Sequence, residues 1–190
     1  VPVYSKLADT LGRKPVMLVG VGIFVIGSAL CAGAWDMPTL IVFRAIQGIG
    51  AGAIQPVAMT ILGDIYTIAE RAKAQAYTSS MWALASVAGP LVGGAFAQFG
   101  VWRLVFLVNV PLGIAAMVVL WRKYHERLER RPHRIDYLGA VLITASTGLI
   151  ILGLLEGGNA WDWVSPWGLG GLGLGLALGI AFLIAELRAA

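Results

Sequence analysis

The stretch "SVAGPLVGGAF", Ser86–Phe96, sets Pro90 together with Gly89, Gly93 and Gly94 inside an apolar run. In a helix interior, proline costs about 3 kcal/mol relative to alanine and each glycine about 1. A segment forced to be helical would hold such residues only where its surroundings compensate. What surrounds Ser86–Phe96 therefore decides the fold.

The surroundings are those of a membrane protein. The 190 residues are 58% apolar and 13% charged, with a mean hydropathy of +0.81. A soluble domain has about 25% charged and 45–50% apolar residues, and one of this length could not bury so much apolar surface. Six runs are long enough to cross a bilayer, which takes about 17–25 mostly apolar residues per helix. They are Pro15–Ala34, Leu40–Leu62, Ala76–Ala97, Leu104–Trp121, Tyr137–Leu155 and Trp167–Ala185. Arg44 is the one charged residue within them. The fold class is an all-α, polytopic integral membrane protein. In that setting the proline and glycines of Ser86–Phe96 are tolerable, because neighbouring helices re-satisfy the freed backbone groups. Gly89 and Gly93, four apart, form a groove for a second helix, and Pro90 predicts a kink. Groove and kink together make a hinge suited to a protein with two states.

The bases give the topology. Lys6, Arg13, Lys14, Arg71, Lys73, Arg122, Lys123, Arg127, Arg130, Arg131, Arg134 and Arg188 all fall in loops on one side, against Arg103 on the other. Basic loops face the cytoplasm, so the expected location is the plasma (inner) membrane with the first span running outward. The pI of 9.5 is thus a topology signal. "RKYHERLERRPHR", Arg122–Arg134, reads as a linker solvated beside anionic lipid headgroups rather than a nucleic-acid patch. On the outer side, Trp35, Trp102, Trp161, Trp163 and Trp167 lie near span ends, as an aromatic belt does. The lone Cys31 excludes an internal disulfide, and no Cys/His spacing suggests a metal site. The chain begins at Val1, with no basic segment before a short apolar core, and reads as an excerpt of a longer protein.

Three constellations carry chemistry. "SKLADTLGRKPV", Ser5–Val16, is a short connector holding an acid, a glycine that reverses the chain, and two bases. Positive-inside charge explains Arg13 and Lys14 but not Asp9. In "LIVFRAIQGIGAGA", Leu40–Ala53, Arg44, Gln47 and Gly48 fall at i, i+3, i+4 on one helical face. Arg44 stands four residues inside its span, about 6 Å deep at 1.5 Å per residue. Such a face looks toward protein or water, since polar groups facing lipid cost several kcal/mol. G-x-G-x-x-A from Gly48 to Ala53 has no preceding strand, so it is not a dinucleotide fingerprint. In "VWRLVFLVNVPLG", Val101–Gly113, Trp102 and Arg103 suit the interface, whereas Asn109 and Pro111 are costly at their depth.

These motifs resemble the major facilitator superfamily, and the chain is similar to part of its helix bundle. Leu7, Ala8, Asp9, Gly12, Arg13 and Lys14 match the loop between the family's second and third helices, G-x-L-a-D-x-x-G-R-K, with Ser5 at the usual glycine. The resemblance implies a gate in which the acid pairs with nearby bases and faces a helix N-terminus of the other half. Arg44, Gln47 and Gly48 match the fourth-helix motif R-x-x-q-G, whose arginine is implicated in proton movement. Gly89, Pro90, Gly93 and Gly94 match the fifth-helix antiporter signature associated with exporters. Trp102, Arg103, Phe106, Asn109, Pro111 and Gly113 are similar to the start of the sixth helix in the fourteen-helix drug:proton antiporter group.

The resemblance divides the chain into 1–121 (end of the second helix through the sixth), a basic linker at 122–136, and two additional helices at 137–190. It implies efflux of amphipathic or cationic drugs, dyes or metabolites in exchange for protons, with lipids as surroundings, no cofactor beyond the proton gradient, no metal and no nucleic acid. The alternatives are a dedicated exporter or symporter of one metabolite, lipid precursor or siderophore, or a receptor or scaffold without transport. An intramembrane enzyme lacks any motif, and no catalytic residue is assigned. The six spans contain no Asp or Glu, so by resemblance the titrating acids lie in the first helix and the C-terminal half, outside this chain. Gly171, Gly175 and Gly179 in the last span form a packing ladder without a matching motif.

Overall fold

A computed structural model describes residues 2–126 and 137–189. Arg127, Arg130, Arg131, His133 and Arg134 of the basic linker lie outside the described residues. Among the described residues eight helices follow one another: α1 (Pro2–Leu11), α2 (Arg13–Ala32), α3 (Met37–Ile65), α4 (Ile68–Gln98), α5 (Leu104–Leu107), α6 (Asn109–Lys123), α7 (Tyr137–Glu156) and α8 (Pro166–Ala189). Six segments are long and apolar enough to span a membrane, α5 and α6 counting as one. They correspond to the six runs read from the sequence.

Most boundaries shift by a few residues, and three differences have a local reason. α4 starts at Ile68 rather than Ala76, because the Glu70 carboxylate accepts from the Thr67 backbone N–H at 3.1 Å and from its hydroxyl at 2.7 Å, organising the first turn. α3 starts at Met37, where the Asp36 carboxylate accepts from the Thr39 N–H at 2.8 Å. Arg44 is therefore seven residues into the helix, about 10 Å from its start. The run Leu104–Trp121 is interrupted at Val108, where α5 gives way to α6. Pro111 has no N–H for the Leu107 carbonyl one turn earlier, and the Asn109 side chain donates to the Val105 carbonyl at 3.3 Å. The costly Asn109 is thus paired across the break, with a carbonyl of α5.

The chain divides into two compact units, Val1–His133 and Arg134–Ala190. In the first, α2 and α3 are antiparallel and packed backbone to backbone. A Cβ on Gly27 would lie 2.6 Å from the Gln47 Cα, one on Gly20 would lie 2.6 Å from the Ala53 Cβ, and one on Gly50 would meet the Phe24 backbone. Lipid tails are as apolar as leucine, so close contact between small residues replaces the hydrophobic effect as the driving force. α6 joins the same helix through Gly113, which receives the Val25 side chain. A cluster of Ala8, Val16, Val57, Ile61 and Tyr124, flanked by Leu7 and Leu120, closes one end of this unit. α4 contains no buried residue. It runs unbroken through Pro90, and a Cβ at Gly89, Gly93 or Gly94 would meet no atom of another element within 4 Å. The groove expected there is open within this chain.

The second unit is an antiparallel hairpin. Ser146 faces Gly179, Ile150 faces Gly175, and Leu172 covers Gly153. The buried Ser146 hydroxyl donates to the Gly175 carbonyl at 2.7 Å. Two of the three ladder glycines thus seat α7, while Gly171 has no atom within 4 Å and lines an apolar hollow of about 390 Å³ with Trp161 and Trp167.

Candidate functional site

Two polar clusters lie at opposite ends of the first unit. The first forms around the α1–α2 connector. Gly12 has φ 109° and ψ 147°, a backbone open to glycine and strained for any other residue, so α1 stops and α2 restarts within one residue. That turn brings Arg13 back beside Asp9, with Nη2 at 3.4 Å from the carboxylate. On its other flank, Arg13 Nε lies 3.3 Å from the Asp64 carboxylate at the end of α3. One guanidinium is shared by two acids on two helices. These side chains are 20%, 41% and 34% exposed for Arg13, Asp9 and Asp64, so water screens them and each pair contributes about 0–1 kcal/mol.

Residues after α6 complete this cluster. The Tyr124 hydroxyl donates to Asp64 at 3.4 Å. Burial, with the Asp64 and Glu126 carboxylates nearby, pushes the Tyr124 phenol up to about 12, so it remains a donor at neutral pH. The Glu126 carboxylate accepts from the backbone N–H of Arg13, and from that of Lys14 at 3.3 Å. Gly12 has no side chain with which to cap α2, so Glu126 supplies the negative charge that a helix N-terminus favours, worth about 0.3–1 kcal/mol when exposed. Lys14 Nζ donates to the Trp121 carbonyl at 2.8 Å, on the last turn of α6. Leu7 packs beneath, against the apolar cluster.

The second cluster surrounds Arg44. Its Nη1 donates to Gln47 Oε1 at 3.3 Å, and its Cζ stands 4.9 Å from the centre of the Phe106 ring. Gln47 is 4% exposed and its Nε2 donates to the Ser28 hydroxyl at 2.7 Å. Cys31 Sγ lies 3.9 Å from the same Gln47 oxygen. Arg44 and Gln47 therefore meet as their spacing predicts, while Gly48 has nothing within 4 Å and leaves that side of α3 open. No carboxylate pairs with Arg44 among the described residues. Among the described residues its charge meets an amide oxygen and an aromatic face. A cation held this way can attract an acid or anion arriving from elsewhere in the protein or from solution.

At the same end, Arg103 Nη2 donates to the Ala34 carbonyl at 3.0 Å, and its Cζ lies 5.2 Å from the Trp102 ring. A base at the C-terminal end of α2 is favoured by the helix dipole. Arg103, stacked on Trp102, thereby braces the end of α2. Pro111 sets the break between α5 and α6 described above.

Sequence reasoning missed Asp64, Tyr124, Glu126 and Ser28 as members of these clusters. Glu126 was one acid within a basic run. Tyr124 carried a signal, an aromatic just past an apolar span, but nothing in the sequence pointed it at Asp64. Ser28 lies on the face of α2 that carries Gly20 and Gly27, a spacing that becomes visible only once α3 is docked.

The sequence pattern of the Major Facilitator Superfamily matches residues 1–187. The chain is 40% identical over 188 residues to "Multidrug resistance protein 3" of Bacillus subtilis (strain 168), covering 99% of this chain and 37% of that protein. It is 39% identical over 189 residues to "Multidrug transporter protein MdtP" of the same organism, covering 100% of this chain and 35% of that protein. It is also 36% identical over 187 residues to "MFS-type efflux transporter ffsH" of Aspergillus flavipes, covering 92% of this chain and 33% of that protein. The chain thus spans about a third of the length of the curated relatives it matches. With a family match over nearly its whole length and six spans in a helical bundle, this multi-pass membrane chain belongs to the Major Facilitator Superfamily.

Proposed function

We propose that the complete protein is a plasma-membrane efflux transporter that exchanges protons for amphipathic or cationic compounds by alternating access. The observation that carries this reading is the sharing of Arg13 between Asp9 and Asp64. That arrangement ties α1, α2 and α3 at their basic ends through contacts weak enough to break in each cycle. In this reading Leu7, Asp9, Gly12, Arg13 and Lys14 form a cytoplasmic gate, and Arg44, Gln47 and Gly48 line the path of the substrate or proton. Gly89, Pro90, Gly93 and Gly94 supply a sliding contact for a helix outside this chain. Trp102, Arg103, Asn109 and Pro111 set the outer start of the sixth helix, and α7 and α8 are the additional pair joining the two halves. The names of the relatives, multidrug and efflux transporters and not enzymes, favour export over uptake. The proton gradient supplies the energy and no cofactor is required.

The test uses the full-length protein in bacteria lacking their main exporters, loaded with ethidium. Dye loss above the vector control, abolished by a protonophore, is the expected result. No dye loss from cells with the protein in the membrane overturns the drug-exporter reading and points to a single dedicated substrate. In the same assay, Gly93→Leu fills the open groove beside Pro90 and lowers the rate of dye loss by about tenfold, the effect of 1.4 kcal/mol on a barrier. Unchanged turnover would reduce these glycines to packing.

A further inference from the structure

The last turn of α6 and the residues just after it are fastened at three points to the start of α2 and the end of α3. Trp121 offers its carbonyl to Lys14 Nζ, Tyr124 its hydroxyl to Asp64, and Glu126 its carboxylate to the first N–H groups of α2. The three anchors lie within six residues, and each engages a different part of the network: α2's second residue, the acid of α3, and the uncapped N-terminus of α2. Tyr124 is itself 9% exposed and belongs to the apolar cluster with Ala8, Val16, Val57 and Ile61. The segment is thus held from below by packing and from above by polar contacts. The chain then continues, ten residues later, into α7.

We propose that Tyr124 and Glu126 are positioning residues of the gate, forming a latch that holds Arg13 between Asp9 and Asp64 and must release when the gate opens. This rests on the reading of the connector as a gate. The physical case is one of mutual support. Asp64 accepts from Tyr124 and pairs with Arg13 through the same Oδ2 atom, so the phenol orients the carboxylate toward the guanidinium. Glu126 holds the backbone of Arg13 itself, which fixes where the side chain starts. Moving Arg13 away from Asp64 therefore displaces Glu126 from the α2 terminus, and the end of α6 moves with it. The latch makes the last helix of this unit report the state of the connector.

The experiment measures access to the inside of the full-length protein. Ala51, at the middle of α3, is exposed and shares the Arg44 face. Cys31 is fully buried and does not compete for reagent. An Ala51→Cys reporter is labelled with a membrane-impermeant maleimide from each side, in right-side-out and inverted vesicles. Tyr124→Phe and Glu126→Gln are each expected to raise the ratio of basic-side to opposite-side labelling by about fivefold, the low end of coupling between two sites, as Asp9→Asn does. Glu126→Asp, which keeps the charge, restores most of the original ratio. Tyr124→Phe removes a single oxygen and keeps the packing, so its effect survives any misfolding of the Glu126 variants. If Asp9→Asn raises the ratio while Tyr124→Phe and Glu126→Gln leave it unchanged, the latch is overturned and the gate stands. If Asp9→Asn also leaves it unchanged, the gate reading fails and the latch with it.

Discussion

Arg44→Ala is expected to lower ethidium export by about ten- to a hundredfold while the full-length protein accumulates in the membrane at its usual amount. The size follows from losing a charge-assisted contact worth about 1.5–3 kcal/mol. The sparing of the fold follows from how Arg44 is held. Gln47 keeps its 2.7 Å bond to Ser28 without it, and the close α2–α3 contacts at Gly20, Gly27 and Gly50 do not involve the Arg44 side chain. What disappears is a cation near the N-terminal end of α3, paired with no carboxylate among the described residues. Arg44→Lys separates charge from shape. An ammonium keeps the charge but loses the planar stacking on Phe106 and the fork toward Gln47, so its export falls between alanine and wild type. Wild-type export by the alanine variant would make Arg44 an interface anchor that snorkels toward the outer surface.

Gly50→Leu is expected to act on the other link, folding. A Cβ at this position meets the Phe24 backbone N and lies 2.6 Å from the Gly20 carbonyl oxygen. Both are backbone atoms of α2, so no side-chain rotation relieves the clash and the two helices must separate. Overpacking in a core costs about 1–3 kcal/mol where side chains can shift; here they cannot, and the upper end or more is expected. Separation also draws Gln47, one turn away on α3, off Ser28, leaving a buried amide unpaired at a further cost of about 1–3 kcal/mol. Thermal unfolding of the purified full-length variant in detergent should fall well below wild type, with reduced yield. Gly22→Ala serves as the control, because nothing lies within 4 Å of the position, and it should unfold at or slightly above the wild-type temperature. The two predictions differ in kind. Arg44→Ala loses export from a folded protein, whereas Gly50→Leu loses the protein.

Much of this was legible in the sequence. The spans were, because twenty apolar residues in water have no stable alternative to insertion, and that constraint acts residue by residue without reference to neighbours. The Arg44–Gln47 contact was legible too, because i and i+3 on a helix are adjacent whatever the helix packs against. So was the turn at Gly12, which needs a backbone angle that glycine alone adopts freely. The break at Val108 was hidden although its cause, Pro111, was in view: whether a proline interrupts, kinks or merely sits within a helix depends on what re-bonds the freed carbonyl. Pro90 and Pro111 came out differently in this respect, α4 running unbroken and the sixth span divided.

The charged network shows where local reading ended. Asp9 and Arg13 are four residues apart and their pairing could be anticipated, but Asp64 and Glu126 reach Arg13 from 51 and 113 positions further along the chain. Composition was enough to identify a chain of membrane-spanning helices, since bilayer thickness and backbone hydrogen bonding leave no other solution. Which acid meets which base, and which glycine admits which helix, follows from packing. Those choices depend on the docking of α2 against α3 and α6, a contact made of backbone and small side chains that no local pattern specifies.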